Sequence, residues 1–171
     1  LLFWRSFTQF IGGIGIVLFT IAILPILGMG GVQLFRAEVA GPSVDKLTPR
    51  VKETAKYLCT IYFGLTGIQT VVLYIQGLIF NIEKLTLFNS ICHSMTTIST
   101  AGFSTFNNSI LGFESDIVSW TIIVFMLLGS INFSLHFLYI FKKSFQYFDD
   151  SEFKFYFFAI MFISFLTFIN L

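Results

Sequence analysis

Charged residues are scarce in this sequence. Only 11% of its 171 residues are Asp, Glu, Lys or Arg, whereas soluble domains carry about a quarter. The formal net charge is +1, so no basic surface is available for the phosphates of a nucleic acid. The apolar residues, 56% of the chain, fill long runs instead of one face of each helix. Such runs are typical of helices that cross a lipid bilayer, and the sequence therefore predicts an all-α membrane protein.

Cysteine and histidine are also scarce, with two of each. Cys59 and Cys92 lie within largely apolar segments, and we interpret both as small buried residues instead of a disulfide or metal ligands. His93 has no partner histidine or acid at ligand spacing, which favours a polar packing role over proton or metal binding. His136, at the inner end of the third predicted span, is interpreted as interfacial. No cofactor is expected.

Long uncharged runs divide the chain. Phe7–Val32 contains no charge over 26 positions, enough for a helix to cross a hydrocarbon core of about 30 Å. Two further spans are predicted over Tyr57–Phe80 and Ile117–Phe141, and a fourth begins at Phe155. Because the chain does not begin with methionine and Leu171 falls inside the last apolar run, we expect a fragment of a longer polytopic protein.

Two polar connectors, residues 33–56 and 142–154, separate the spans. They hold eight of the ten Lys and Arg residues. If the stretch between the second and third spans does not cross the membrane, this is the positive-inside distribution, and both connectors are cytoplasmic. Within the first connector, Thr48 and Pro49 predict a helix start. The glycines of the first span are interpreted as sites of close helix packing: Gly12, Gly13, Gly15, Gly28, Gly30 and Gly31.

The stretch between those spans, Glu83–Phe106, is unusually polar. Eleven of the 20 residues from Thr86 to Thr105 are polar, unlike a lipid-facing helix. As a helix, Glu83–Thr97 would be about 22 Å long, too short to cross. Its apolar and polar residues gather on two different faces. We therefore predict a re-entrant pore helix, packed on the flanking spans by one face, with the other facing protein or water. The apolar set is Phe88, Ile91, Met95 and Ile98, and the polar set is Thr86, Ser90, His93 and Thr97.

The loop after this helix has the residues that a cation path needs. Rings of backbone carbonyls can replace the water around a dehydrated cation, and a glycine permits the dihedrals that aim them, a role assigned to Gly102. The negative end of the short helix, near Thr97, favours a cation close by. The neighbouring Phe103 is expected to wedge the loop against the surrounding helices.

Several stretches resemble a known family. Thr100–Phe103 resembles a loose form of the Thr–Val–Gly–Tyr filter of potassium channels, as found in the Trk/Ktr/HKT superfamily of potassium-uptake proteins. Five longer stretches are similar to the membrane subunit of bacterial Trk systems: LLFWRSFTQFIGGIGI, QLFRAE, KLTPRVKETAK, STAGFST and FMLLGSINFSLHF.

The resemblance implies four repeats of helix, pore helix, filter loop and helix around one pore. Residues 1–32 would then close the first repeat, 57–141 would form the complete second repeat, and 155–171 would open the third, so that one of four filter loops is present. The implied selectivity filter is Ser99, Thr100, Ala101, Gly102 and Phe103, with K+ held by the backbone carbonyls of Thr100, Ala101 and Gly102. Many relatives have a second glycine where this sequence has Ala101, which bears on fine selectivity.

The resemblance also implies a function and partners. It implies K+ transport across the bacterial inner membrane, passively or as a symport. A homodimer surrounded by lipid, with a cytosolic nucleotide-binding regulatory subunit, is the implied assembly. A Na+-permeable or Na+/K+-coupled transporter of the same superfamily is the alternative.

Three other interpretations of the sequence remain open. An intramembrane enzyme would need His93 and a neighbouring serine as a nucleophile pair. A non-conducting packing subunit is also compatible with a buried Ser/Thr-rich turn. Gly129, Ser130 and Asn132, in the third predicted span, are either a flexible gate or small residues for helix packing, and packing is favoured.

Overall fold

The computed structural model describes residues 1–27, 47–143 and 147–170. Within these ranges the chain is helical and contains no strand, so the predicted all-α class is confirmed. A short 3-10 helix, Ser109–Phe113, precedes the fourth α-helix. The α-helices are α1 (Leu2–Leu27), α2 (Leu47–Ile79), α3 (Leu87–Ile98), α4 (Asp116–Ser130), α5 (Phe133–Lys142) and α6 (Ser151–Ile169).

The chain divides into two compact units, Leu1–Ser130 and Ile131–Leu171. In the first unit, the short helix α3 packs against α1, α2 and α4. A buried apolar cluster joins α2 and α4 to the segments on either side of α3. This arrangement surrounds α3 with longer helices. The cluster consists of Leu73, Leu85, Phe113, Val118 and Ile122.

Among the described residues, two helices have the length and composition of membrane spans, Ala55–Ile79 within α2 and Ser151–Ile169, which is α6. Helix α4 is apolar but shorter. None of the residues of α6 is buried, and its surface is dominated by Phe, Ile and Leu. Apolar surface of this extent is suited to lipid or to further protein.

Helix α1 runs from Leu2 through Pro25 to Leu27. It covers most of the first predicted span, and residues 28–32, with Gly28, Gly30 and Gly31, lie outside the described residues. The same is true of residues 33–46 of the first connector and residues 144–146 of the second. Helix α2 begins at Leu47, close to the start predicted from Thr48 and Pro49.

The prediction of one continuous helix over Ile117–Phe141 is wrong. Helix α4 ends at Ser130 and α5 begins just after Asn132. The Asn132 carbonyl accepts a hydrogen bond from the N–H of Leu135 (2.9 Å), and its side-chain amide donates to Glu152 (3.3 Å). Asparagine is favoured at the residue that precedes a helix, and uninterrupted apolar composition does not reveal such a boundary.

The start of the short helix also differs from the prediction. The sequence predicts a start at Glu83, but α3 begins at Leu87 after the N-cap residue Thr86. The Thr86 hydroxyl accepts a hydrogen bond from the N–H of Asn89 (3.3 Å). Threonine is a favoured N-cap because its oxygen satisfies a backbone donor that has no partner within the helix. Helix α3 is consequently only 12 residues long, or about 18 Å.

Candidate ion-binding loop

An ion pair joins the two ends of the segment that contains α3. Lys84 Nζ lies 2.5 Å from Glu114 Oε1, so the two ends of residues 84–114 are adjacent. Both side chains are exposed. The hydrogen bond and the positive charge of Lys84 hold the pKa of the Glu114 carboxyl below its usual range. The chain therefore leaves this point, forms α3 and the loop, and returns to it.

The polar face of α3 is buried. Ser90 and Ser94 are fully enclosed, and His93 is 2% exposed. The hydroxyls donate to carbonyls one turn earlier, as Ser94 does to Ser90 (2.7 Å) and Thr97 to His93 (2.7 Å). On the opposite side Phe88 is 47% exposed. The polar face therefore packs inside the protein, with its hydroxyls bonded within the helix itself. The prediction that the apolar set as a whole packs on the flanking spans is wrong, because Phe88 is exposed whereas Ile98 is buried.

Two glycines allow the neighbouring helices to approach the C-terminus of α3. A Cβ atom on Gly129 of α4 would lie 2.8 Å from the carbonyl oxygen of Ile98, and one on Gly13 of α1 would lie 2.9 Å from Cβ of Ser99. The Tyr62 hydroxyl fills the space beside Gly13 and donates to the carbonyl of Phe10 (3.0 Å). These contacts favour a packing role for Gly129, as they do for Gly13 in the first span.

The other two residues proposed for a gate are placed differently. The Ser130 hydroxyl donates to Met126 O on its own helix (2.7 Å). Asn132 belongs to the second unit, where its amide reaches Glu152. These three residues therefore take part in separate local contacts.

The loop leaves α3 through two left-handed residues. Ser99 caps the helix with αR dihedrals, Thr100 has φ +54°, and Gly102 has φ +77°. An added Cβ on Gly102 would meet nothing within 4 Å, so glycine is needed there for conformation and not for space. The N–H groups of Thr100 and Ala101 turn back to the carbonyls of Thr97 (3.0 Å) and Thr96 (2.9 Å).

These turns leave a run of carbonyls without partners. No described residue donates a hydrogen bond to the carbonyl oxygens of residues 99–102, and Thr100, Ala101 and Gly102 are exposed. The Phe103 carbonyl is different, because it accepts from the Thr96 hydroxyl (2.9 Å). The Phe103 ring lies against the Arg5 guanidinium of α1. The first four predicted filter residues thus present open carbonyls, whereas Phe103 is anchored.

His93 holds residues 104 and 105, which follow the loop, against α3. Its Nε2 accepts from the N–H of Thr105 (3.4 Å) and lies 3.2 Å from the Thr105 hydroxyl and 3.5 Å from the Ser104 hydroxyl. The edge of its ring packs against Phe113 (4.7 Å between centroids). No described acidic side chain is hydrogen-bonded to it, so the base of a nucleophile pair would lack an orienting group. His93 has the packing role favoured by the sequence.

We expect His93→Ala to destabilise the full-length protein by about 1–3 kcal/mol, because the part-buried N–H of Thr105 would lose its acceptor. His93→Gln is the matched variant, since its amide oxygen can still accept. Thermal unfolding of purified protein in detergent measures the difference. Equal stability of His93→Ala and the natural protein would show that this anchor is unimportant.

Helices long enough to span a bilayer, with large apolar surfaces uncovered, define an all-helical membrane protein. The chain belongs to the family described as TrkH, cation transport protein, which matches residues 1–171. This is a family of transporters and not of enzymes.

Individual relatives agree with this assignment. The chain is similar to the Trk system potassium uptake protein TrkH of Vibrio parahaemolyticus serotype O3:K6, with 41% identity over 99% of this chain and 33% of the relative. The TrkH protein of Escherichia coli K12 is 42% identical over 90% of this chain and 31% of that protein. The crystal structure of the potassium transporter TrkH from Vibrio parahaemolyticus matches with a TM-score of 0.73 and 35% identity, over 99% of this chain and 31% of that one. The chain thus spans about a third of the length of these relatives.

Proposed function

We propose that this chain forms part of the pore of a Trk-type K+ uptake protein, and that residues 99–103 supply one side of its selectivity filter. The observation that carries the proposal is the run of open carbonyls on residues 99–102, at the C-terminus of a short helix whose polar face is buried. The names of the relatives, which are potassium uptake proteins, support K+ as the transported ion.

In the proposed mechanism, the backbone oxygens of Thr100, Ala101 and Gly102 replace water molecules around K+. Carbonyl oxygens coordinate a cation whatever side chain the residue carries, so Ala101 serves as well as glycine in this respect. The C-terminus of α3 adds the partial negative charge of the helix dipole. Three further loops would complete the ring of ligands around the axis, each from another repeat of the full-length protein.

We further propose that residues 84–114 enter the membrane and return to the same surface. The contact between Lys84 and Glu114 supports this topology, since it brings both ends of the segment together. Connectors 33–56 and 142–154 then lie on the cytoplasmic side of the bacterial inner membrane. The proposed repeats are 1–32, 57–141 and 155–171, the first and last incomplete, and the assembly is a homodimer with a cytosolic nucleotide-binding regulatory subunit.

Labelling of single cysteines tests the topology. In a full-length variant with every native cysteine replaced by serine, Cys59 and Cys92 among them, we expect Lys84→Cys and Glu114→Cys to react with an impermeant maleimide added outside intact cells. Tyr57→Cys, near the other end of the candidate span Ala55–Ile79, should react only after the membrane is opened. Labelling of positions 84 and 114 from opposite sides would contradict the re-entrant arrangement.

Cation uptake tests the function. Cells that lack their own K+ uptake should take up 86Rb+ when they express the full-length protein, and unlabelled K+ should compete better than Na+. Equal competition by Na+ would favour a Na+-permeable transporter instead. No uptake from a correctly inserted protein, supplied with its regulatory subunit, would contradict the proposal. The chain of residues 1–171 alone should transport nothing, because most of the filter would be missing.

A further inference from the structure

The proposed filter loop is held from two directions. Its own helix holds the backbone, through Ala101 N–H to Thr96 O (2.9 Å) and Thr96 Oγ1 to Phe103 O (2.9 Å). The side chain of Phe103 is held by a different helix, α1. The guanidinium carbon of Arg5 lies 4.3 Å from the centroid of the Phe103 ring. This contact joins α1 to the loop that follows α3, across nearly 100 residues of sequence.

Arg5 lies on α1, a helix that is packed against the rest of the first unit. Its carbonyl accepts from the Thr8 hydroxyl (2.9 Å) in the first turns of α1. Ser6, next in sequence, is fully buried, and Phe10 packs one turn later with its carbonyl bonded to the Tyr62 hydroxyl. Because both buried residues lie on the side of α1 that packs in the first unit, the guanidinium is carried on a docked helix. A displacement of Phe103 would therefore break a contact with a side chain carried by a packed helix.

The chemistry of the contact suits an aromatic ring. A guanidinium is planar, weakly hydrated and permanently charged, and it stacks on the negative face of a ring better than an ammonium does. No described carboxylate forms a salt bridge with Arg5, since the ion pair of the described residues joins Lys84 and Glu114. The ring of Phe103 is thus the identified partner of this cation.

We propose that Arg5 is a positioning residue for the filter, which fixes the Phe103 ring and through it the direction of the adjacent Gly102 carbonyl. This inference rests on the proposed function. If residues 1–32 and 57–141 belong to successive repeats, Arg5 ties one repeat to the filter loop of the next. Its loss should then weaken discrimination between K+ and Na+ more than the maximal rate of uptake.

Competition experiments on the full-length protein test the proposal. We expect Arg5→Gln to reduce the preference for K+ over Na+ by about two- to fivefold, the size of an exposed cation–π contact, with Vmax for K+ nearly unchanged. Arg5→Lys keeps a cation near the ring but loses the planar stacking of the guanidinium, and it should recover only part of the preference. Phe103→Leu should behave like Arg5→Gln, and the double variant should be no worse than the more affected single variant.

Lys84→Gln is the matched control, because it removes a positive charge from the same unit without touching the loop. It should leave the ion preference unchanged. If Lys84→Gln and Arg5→Gln have equal effects, or if the two Arg5 and Phe103 effects multiply in the double variant, the contact does not position the filter. Membrane insertion is measured by quantitative labelling, so that a loss of protein is not mistaken for a loss of selectivity.

These experiments distinguish a failure of the Arg5 inference from a failure of the proposed filter. A protein that responds to Gly102→Ala but not to Arg5→Gln has a filter that does not depend on Arg5. A protein whose ion preference responds to neither has no filter at this loop.

Discussion

Gly102→Ala should lower the preference of the full-length protein for K+ over Na+ by a factor of about 5–30. The glycine has φ +77°, and an L-residue in left-handed backbone costs about 1–2 kcal/mol. Since an added methyl group would meet no neighbouring atom, the cost is conformational. The loop can relieve it by turning the peptide groups on either side of residue 102, which redirects the carbonyls proposed to bind K+.

Gly67→Ala provides the matched control. Gly67 is exposed on α2, and its added Cβ would also meet nothing within 4 Å, but its dihedrals are helical, so alanine should be accepted or slightly stabilising. Initial rates of 86Rb+ uptake with increasing Na+ or K+ as competitor measure both variants. Unchanged competition in Gly102→Ala, at normal expression, would remove Gly102 from the proposed filter.

Gly129→Ala should destabilise the full-length protein by about 1–3 kcal/mol. The new methyl group would lie 2.8 Å from the carbonyl oxygen of Ile98 and 3.1 Å from its Cα atom. Both are backbone atoms at the end of α3, so they cannot move aside as a flexible side chain would. Helix α4 or α3 must shift, and the loop that begins at Ser99 shifts with it. We expect a lower unfolding temperature in detergent and weaker uptake at equal protein.

Ser130→Ala distinguishes packing from gating. Ser130 is exposed, and its hydroxyl bonds only within its own helix, so its removal should change stability little. A flexible gate at these residues predicts the reverse pattern, with both variants altering the rate of uptake while the unfolding temperature stays constant. Normal stability of Gly129→Ala would therefore favour the gate.

Local sequence patterns were sufficient to predict the position of α3 and the loop. The alternation of apolar and polar faces depends on residues three or four apart, and the excess of Ser and Thr over residues 86–105 is visible in composition alone. A glycine with left-handed backbone at position 102 follows from the same kind of evidence. The helix break before Phe133 could not be predicted from such patterns. It lies at a single asparagine, and the average composition of an apolar run conceals one polar residue.

Contacts between distant residues were beyond such patterns. Gly13 meets Ser99 and Arg5 meets Phe103 only because α1 and α3 pack side by side. The left-handed dihedrals of Thr100 were not predicted either, since a β-branched residue is rare in that region. The resemblance to a family indicated the loop, but the contacts that hold the loop depend on how distant helices pack.

The attachments between the loop and α3 are close in sequence, and this bears on how the protein folds. Thr96 reaches Phe103 across seven residues, and His93 reaches Thr105 across twelve. Closing such short loops costs little chain entropy and is fast. The loop can therefore take its shape as soon as α3 has formed, during synthesis and before later helices are inserted. Assembly of the proposed pore would then bring together loops that are already shaped.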